Sequence, residues 1–143
     1  MWRESWRFWA LLSAVFAALT AILAKVGVAG VASDVATLVR TGVILLFAAA
    51  IVAATGQGSA LTAISGRSLL FLVLSGLATG ASWLCYFRAL SLGDAARVAP
   101  LDKLSVVLVA ILGASLLGET LSLAAWAGVA LIAVGAALVA SGW

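Results

Sequence analysis

Asp102 and Lys103 stand side by side in "RVAPLDKLSVVLVAILG", residues 97 to 113, just after the chain's single proline, Pro100. The run is otherwise apolar enough to cross a bilayer. A carboxylate placed there can carry a proton or answer a cation, and an ammonium can hold an anion. Both are costly in hydrocarbon unless something answers them. Lys25, Arg40 and Arg88 also fall in or at the ends of apolar runs, and Trp83 and Tyr86 add rings with polar tips. This is chemistry for binding and releasing a solute rather than for breaking bonds. With no histidine in the chain, imidazole acid–base catalysis and the commonest metal ligand are absent. Cys85 is alone, so one chain holds no disulfide, zinc site or redox pair. No nucleophile–base pair, metal cluster or phosphate loop is visible, so neither an enzyme nor a cofactor is expected.

Of the 143 residues, 66% are hydrophobic and 9% charged, with a mean hydropathy of +1.29. Soluble domains run near half apolar and about a quarter charged, which excludes a water-soluble globule. The length leaves room for one membrane domain. A net charge of +3 is too small and too dispersed for a nucleic-acid partner. The partners expected are the lipid bilayer and a small molecule, and the expected place is the cell (inner) membrane, as a multi-pass protein.

A spanning helix needs about 20 mostly apolar residues. Apolar runs between polar or glycine-rich breaks predict five, over about 8–28, 35–55, 69–90, 95–117 and 121–140. The Gly/Ser-rich "GQGSALTAISGRS" between the second and third reads as a loop or interfacial turn. No segment alternates as a β-barrel strand does. The fold class is therefore all-α and polytopic, with short loops making neighbouring helices antiparallel.

Five crossings sort the charges. Lys25, Arg40, Arg88, Arg97, Asp102 and Lys103 fall in one half of the bilayer, with Asp34 and Asp94 at its rim. The other half holds Arg3, Glu4, Arg7, Arg67 and Glu119. If Asp94 caps the fourth helix, Asp102 lies about 12 Å from that end, level with Ser82, Trp83 and Tyr86 on the antiparallel third. Pro100 is expected to kink the fourth helix just before Asp102. Adjacent residues sit about 100° apart on a helix, so Asp102 and Lys103 are not expected to share one target. In one reading these charges are structural, with Asp102 pairing Arg40, Lys25 or Arg88 while Lys103 snorkels. In the other they line a water-accessible substrate path. The positive excess of this half favours an anionic or zwitterionic solute over a cation. If transport is proton-coupled, Asp102 is the deep carboxylate available; Glu119 is expected at the interface, capping the last helix.

At the N-terminus, Trp2, Trp6 and Trp9 share one helical face beside Arg3 and Arg7, as interfacial anchors do, and Trp143 is placed to anchor the other interface. A tryptophan gate and a cleaved signal peptide are weaker readings; the apolar run is long for the latter and contains Lys25.

"AILAKVG" (Lys25), "ATLVRTG" (Arg40), "YFRALSLGDAARVAPLDKLSVVLVAILGASLLGE" and "WAGVALIAVGAALV" together resemble the drug/metabolite transporter superfamily, specifically a single EamA-type domain of the five-helix kind. The likeness covers nearly the whole chain, 86–139 most specifically, with the tryptophan cluster outside it. Most relatives carry two such domains as inverted repeats, ten helices in all. The resemblance therefore implies half of that fold, completed by a second copy in antiparallel orientation. The positive-inside count agrees. Arg3, Arg7 and Arg67 face one side, and five basic residues the other, of which Arg40 and Lys103 are expected to be buried. Such a tie gives insertion no preferred direction, as dual topology requires. Gly128 and Gly135, with Ile132 near the same stripe, suit close helix packing, either in a dimer or within the chain.

The related small multidrug resistance proteins exchange protons for cationic drugs through a glutamate in helix 1. "WALLSAVFAALTAILAKVG" has no carboxylate there, so that mechanism does not carry over. The resemblance implies a homodimer exporting a small metabolite or drug-like solute by alternating access, with Lys25, Arg40, Trp83, Tyr86, Arg88, Asp102 and Lys103 along the path. The alternatives are a subunit of a lipid-linked substrate flippase and a non-transporting accessory membrane subunit.

Overall fold

The computed structural model describes residues 5–141; the expectations on Trp2, Arg3, Glu4 and Trp143 lie outside the described residues. Six α-helices follow one another: α1 Trp6–Gly27, α2 Ser33–Ala54, α3 Gly66–Leu92, α4 Ala95–Asp102, α5 Ser105–Leu116 and α6 Leu123–Ser141. A 3-10 turn over Gln57–Ala63 fills the Gly/Ser-rich segment after α2. Taken with α4 and α5 as one interrupted span, Ala95–Leu116, five helical stretches are long and apolar enough to cross a membrane. Their large side chains, Leu46, Leu72 and Leu131 among them, stand exposed on the outside. That is the surface lipid covers, because a bilayer offers apolar groups what a protein core offers in water.

The helices divide between two units, Met1–Lys25 with Leu92–Trp143, and Val26–Ser91. In the first, α4 and α5 pack on α6. Ala125, Val129, Ala133, Ala136 and Ala140 turn the more buried face of α6 inward. In the second, Ser33, Ala36, Thr37 and Arg40 form the inward stripe of α2, and Gly80, Trp83, Tyr86, Phe87 and Leu90 that of α3. Both stripes recur at three to four residues, as an inward helical face must.

The fourth span breaks later than its proline suggests. Pro100 lies inside α4, and the discontinuity comes after Asp102. There the Lys103 N–H reaches both Ala99 O (3.3 Å) and Pro100 O (3.1 Å), and Leu104 N–H donates to Leu101 O (3.1 Å). Val106 and Val107 then bond Lys103 O and Leu104 O at 3.0 Å each. Pro100 deprives the Ala96 carbonyl of its partner and presses on the preceding turn. The chain answers on the far side by tightening to three-residue spacing, a 3-10 joint that separates α4 from α5.

Two ends also differ from expectation. Asp94 precedes α4 in extended conformation, but its side chain makes no cap bond; its carbonyl takes the Arg97 and Val98 N–H groups at 2.9 Å. At α6 the cap is Ser122, whose Oγ accepts the Ala125 N–H at 3.2 Å, and not Glu119. The chain leaves α5 through Gly118 at φ 69°, a left-handed turn that suits glycine. Glu119 N–H then folds back to Gly113 O at 3.1 Å.

Candidate functional site

Each unit holds its own group of polar residues. In Val26–Ser91 the organising residue is Arg40, about 10 Å into its span at 1.5 Å per residue. Its guanidinium carbon lies 4.3 Å from the centre of the Trp83 ring and 5.4 Å from that of Phe87. Trp83 and Phe87 are four residues apart on α3, so one helical face presents both rings to the same cation. A half-buried cation over an aromatic face gains about 1–2 kcal/mol when largely desolvated. On α2, Thr37 and Thr41 flank Arg40 at helical spacing and turn their hydroxyls onto their own backbone, to Ser33 O and Thr37 O at 2.8 Å each. Those donors are spent, and Ser33 Oγ donates to Asp34 at 3.4 Å, so none of these hydroxyls is directed at the Arg40 site.

Arg88 points elsewhere. It lines a shallow depression of about 440 Å³ with Ser33, Asp34, Leu84 and Cys85. Tyr86 is half-buried on the inward face of α3.

In the other unit the charges are answered differently. Lys103 Nζ reaches Asp102 Oδ2 at 3.4 Å, although the two residues are neighbours in sequence. Lys103 is the residue on which α4 ends, and its flexible four-carbon stem crosses the angle that a continuous helix would impose. Lys25, near the end of α1, donates to the carbonyl of Gly93 at 2.8 Å, in the short break before α4. Beside this joint runs an apolar groove of about 490 Å³, walled on α1 by Ala10, Ser13, Ala14, Ala17 and Ala18 and on the other side by Ala99, Pro100 and Lys103. On α6, Gly128 and Gly135 have open space where a side chain would stand, and Ile132 is exposed. Gly135 is exposed to one side of the stripe of Ala125, Val129 and Ala136, Gly128 is half-buried beside it, and Ile132 lies at its edge.

Of the residues singled out by sequence, Arg40 and Trp83 are brought together within their unit, and Asp102 and Lys103 within theirs. Phe87 and Thr37 were not anticipated. The four-residue spacing of Trp83 and Phe87 was a readable signal for the first. The burial of Thr37 on the face of Arg40 had none.

Comparison with known proteins agrees with this architecture. The model of the EamA-like transporter family matches residues 4–141. That match takes in Trp6 and Trp9, which the sequence reading had set outside the likeness. A Sinorhizobium sp. protein described as "Uncharacterized transporter in cobO 3'region" is 70% identical over 137 residues, 96% of this chain and 97% of that protein. No solved structure matches the chain significantly. A chain of five apolar spans, matched over nearly its whole length, belongs to the EamA-like transporter family, multi-pass membrane proteins that carry solutes rather than catalyse reactions.

Proposed function

We propose that the chain moves a small anionic or zwitterionic metabolite or drug-like solute across the membrane by alternating access, and that two copies inserted in opposite orientations form the working unit. The observation that carries this reading is the 3-10 joint at Lys103 and Leu104 inside the fourth span. Discontinuous helices near the midplane are where transporters bind solutes, and a tightened turn within a helix serves as a hinge. Each unit offers polar groups to a solute: Arg40, Trp83, Tyr86 and Arg88 in one, Lys25, Asp102 and Lys103 in the other. Export is the direction that fits the family resemblance.

Two features support the dimer. Gly128 and Gly135 leave a side of α6 open to close approach by another helix. Arg3, Arg7 and Arg67 stand against Lys25, Arg88 and Arg97 on the opposite side when Arg40 and Lys103, which lie within spans, are left out of the count. Lys103 is exposed in the structure rather than buried as expected, and the near balance weakens the usual bias in insertion.

The test is saturable counterflow in proteoliposomes with a panel of labelled amino acids and organic acids, joined to a C-terminal reporter. The reading expects counterflow of an anion or zwitterion and reporter signal on both faces of the membrane. Gly128→Leu with Gly135→Leu should leave monomers in detergent. Absence of flux together with copurification of one fixed partner contradicts transport and favours an accessory subunit. A reporter on one face only contradicts the antiparallel dimer.

A further inference from the structure

The faces of Trp83 and Phe87 form the aromatic surface of the Val26–Ser91 unit, and the Arg40 guanidinium lies over both, at 4.3 and 5.4 Å. The one carboxylate of that unit, Asp34, stands six residues earlier on α2, on a different helical face. It accepts from Ser33 Oγ at 3.4 Å and lines the depression with Arg88. Among the described residues no carboxylate lies within ion-pair distance of Arg40, since the ion pair found is Lys103 with Asp102. Thr37 and Thr41 direct their protons to backbone carbonyls. A charge inside a span needs an answer. The rings give part of it through the face of the guanidinium, and Tyr86 on the same face of α3 acts on it electrostatically, while the N–H groups around its rim suit the paired oxygens of a carboxylate or phosphate.

We propose that Arg40 is an oxyanion-binding residue, held in place by Trp83 and Phe87, which excludes cationic solutes from the aromatic face and takes the carboxylate or phosphate of an anionic one. This deepens the transport reading and rests on it for the role of the bound anion, but the site itself is a binding claim. The oxyanion has two possible sources, a dissolved solute and a lipid headgroup.

The experiment follows tryptophan emission of the purified protein in a neutral maltoside detergent, titrated with hexanoate, inorganic phosphate and hexylammonium. The expected result is a saturable change with hexanoate or phosphate and none with hexylammonium. Arg40→Gln abolishes it. Arg40→Lys, which keeps the charge and loses the fork, weakens it about ten-fold. Trp83→Phe keeps a ring beneath the guanidinium and removes the reporter among the six tryptophans, so the ligand-induced change in emission is lost while calorimetric binding persists. Unchanged circular dichroism shows that each variant is folded. No response to either anion, an equal response to hexylammonium, or full binding by Arg40→Gln overturns the inference.

A second arm repeats the hexanoate titration in phosphatidylcholine nanodiscs with and without phosphatidylglycerol. Equal responses assign the oxyanion to a solute. Displacement of hexanoate by phosphatidylglycerol assigns it to lipid and overturns the solute role of Arg40. Because the readout is binding, hexanoate held through Arg40 without any flux contradicts transport and leaves the site standing. Flux of a zwitterion without a hexanoate response does the reverse.

Discussion

The two units of this chain answer the charges of their spans in opposite ways. In Val26–Ser91, Arg40 is met by the rings of Trp83 and Phe87 and by no carboxylate of its own unit. In the unit built from Met1–Lys25 and Leu92–Trp143, Lys103 is met by Asp102 and Lys25 by a backbone carbonyl. Rings attract a cation without neutralising it, so the first arrangement leaves net positive charge for an incoming anion. A carboxylate cancels the charge, so the second arrangement leaves no net charge at the joint. If Arg40 takes the oxyanion of a solute, the difference separates a place to bind from a place to bend.

This contrast can be broken at several points. The largest effect is expected from replacing both rings. Trp83→Leu with Phe87→Leu removes about 1–2 kcal/mol of cation–ring attraction, which corresponds to an anion affinity lower by about five- to thirty-fold, read by calorimetry. An unchanged affinity would mean that the rings do not orient Arg40. A smaller effect, on motion rather than binding, is expected from Pro100→Ala. The restored N–H can bond the Ala96 carbonyl, so the joint should straighten and the protein gain roughly 1 kcal/mol or more of stability. Flux should fall by a few-fold at unchanged anion affinity, and a fall in affinity instead would place Pro100 in the binding site. The smallest effect belongs to Gly113→Ala. A methyl there would lie 2.6 Å from Glu119 Oε2, but the carboxylate is the end of a flexible, exposed side chain and can swing away. Flux and melting temperature should stay within error of the wild type; a large loss would make the Glu119 position functional.

Much of the fold was legible because a bilayer imposes simple rules. Apolar runs marked all five spans, and the ends of α2 and α3 fell within a few residues of expectation. The third span, read as Leu69 to Leu90, extends over Gly66–Leu92, since its polar ends remain helical. Pro100 announced that the fourth span would be irregular. The site of the break depends on how the chain redistributes hydrogen bonds around Lys103, and that is not local to the proline. Charge positions were legible, but their partners were not. In one of the two readings Asp102 meets Arg40, Lys25 or Arg88, because opposite charges attract in lipid. Its partner is the adjacent Lys103, which a helix end allows and helical geometry alone forbids. The ring beneath Arg40 depended on α3 facing α2, a packing choice that no single span encodes. Glu119 was assigned the capping of the last helix by position, while Ser122 fills that role with a hydroxyl better placed for the Ala125 N–H.

The most direct measurement compares Arg40→Gln with Asp102→Asn in proteoliposomes, each under an imposed proton gradient and in gradient-free counterflow of an anion. The account predicts that Arg40→Gln loses both by more than about ten-fold, as removal of one charge-assisted contact implies. Asp102→Asn should lose gradient-driven movement but keep counterflow. Counterflow that survives Arg40→Gln, or vanishes equally in Asp102→Asn, would contradict the division between a unit that binds and a unit that bends.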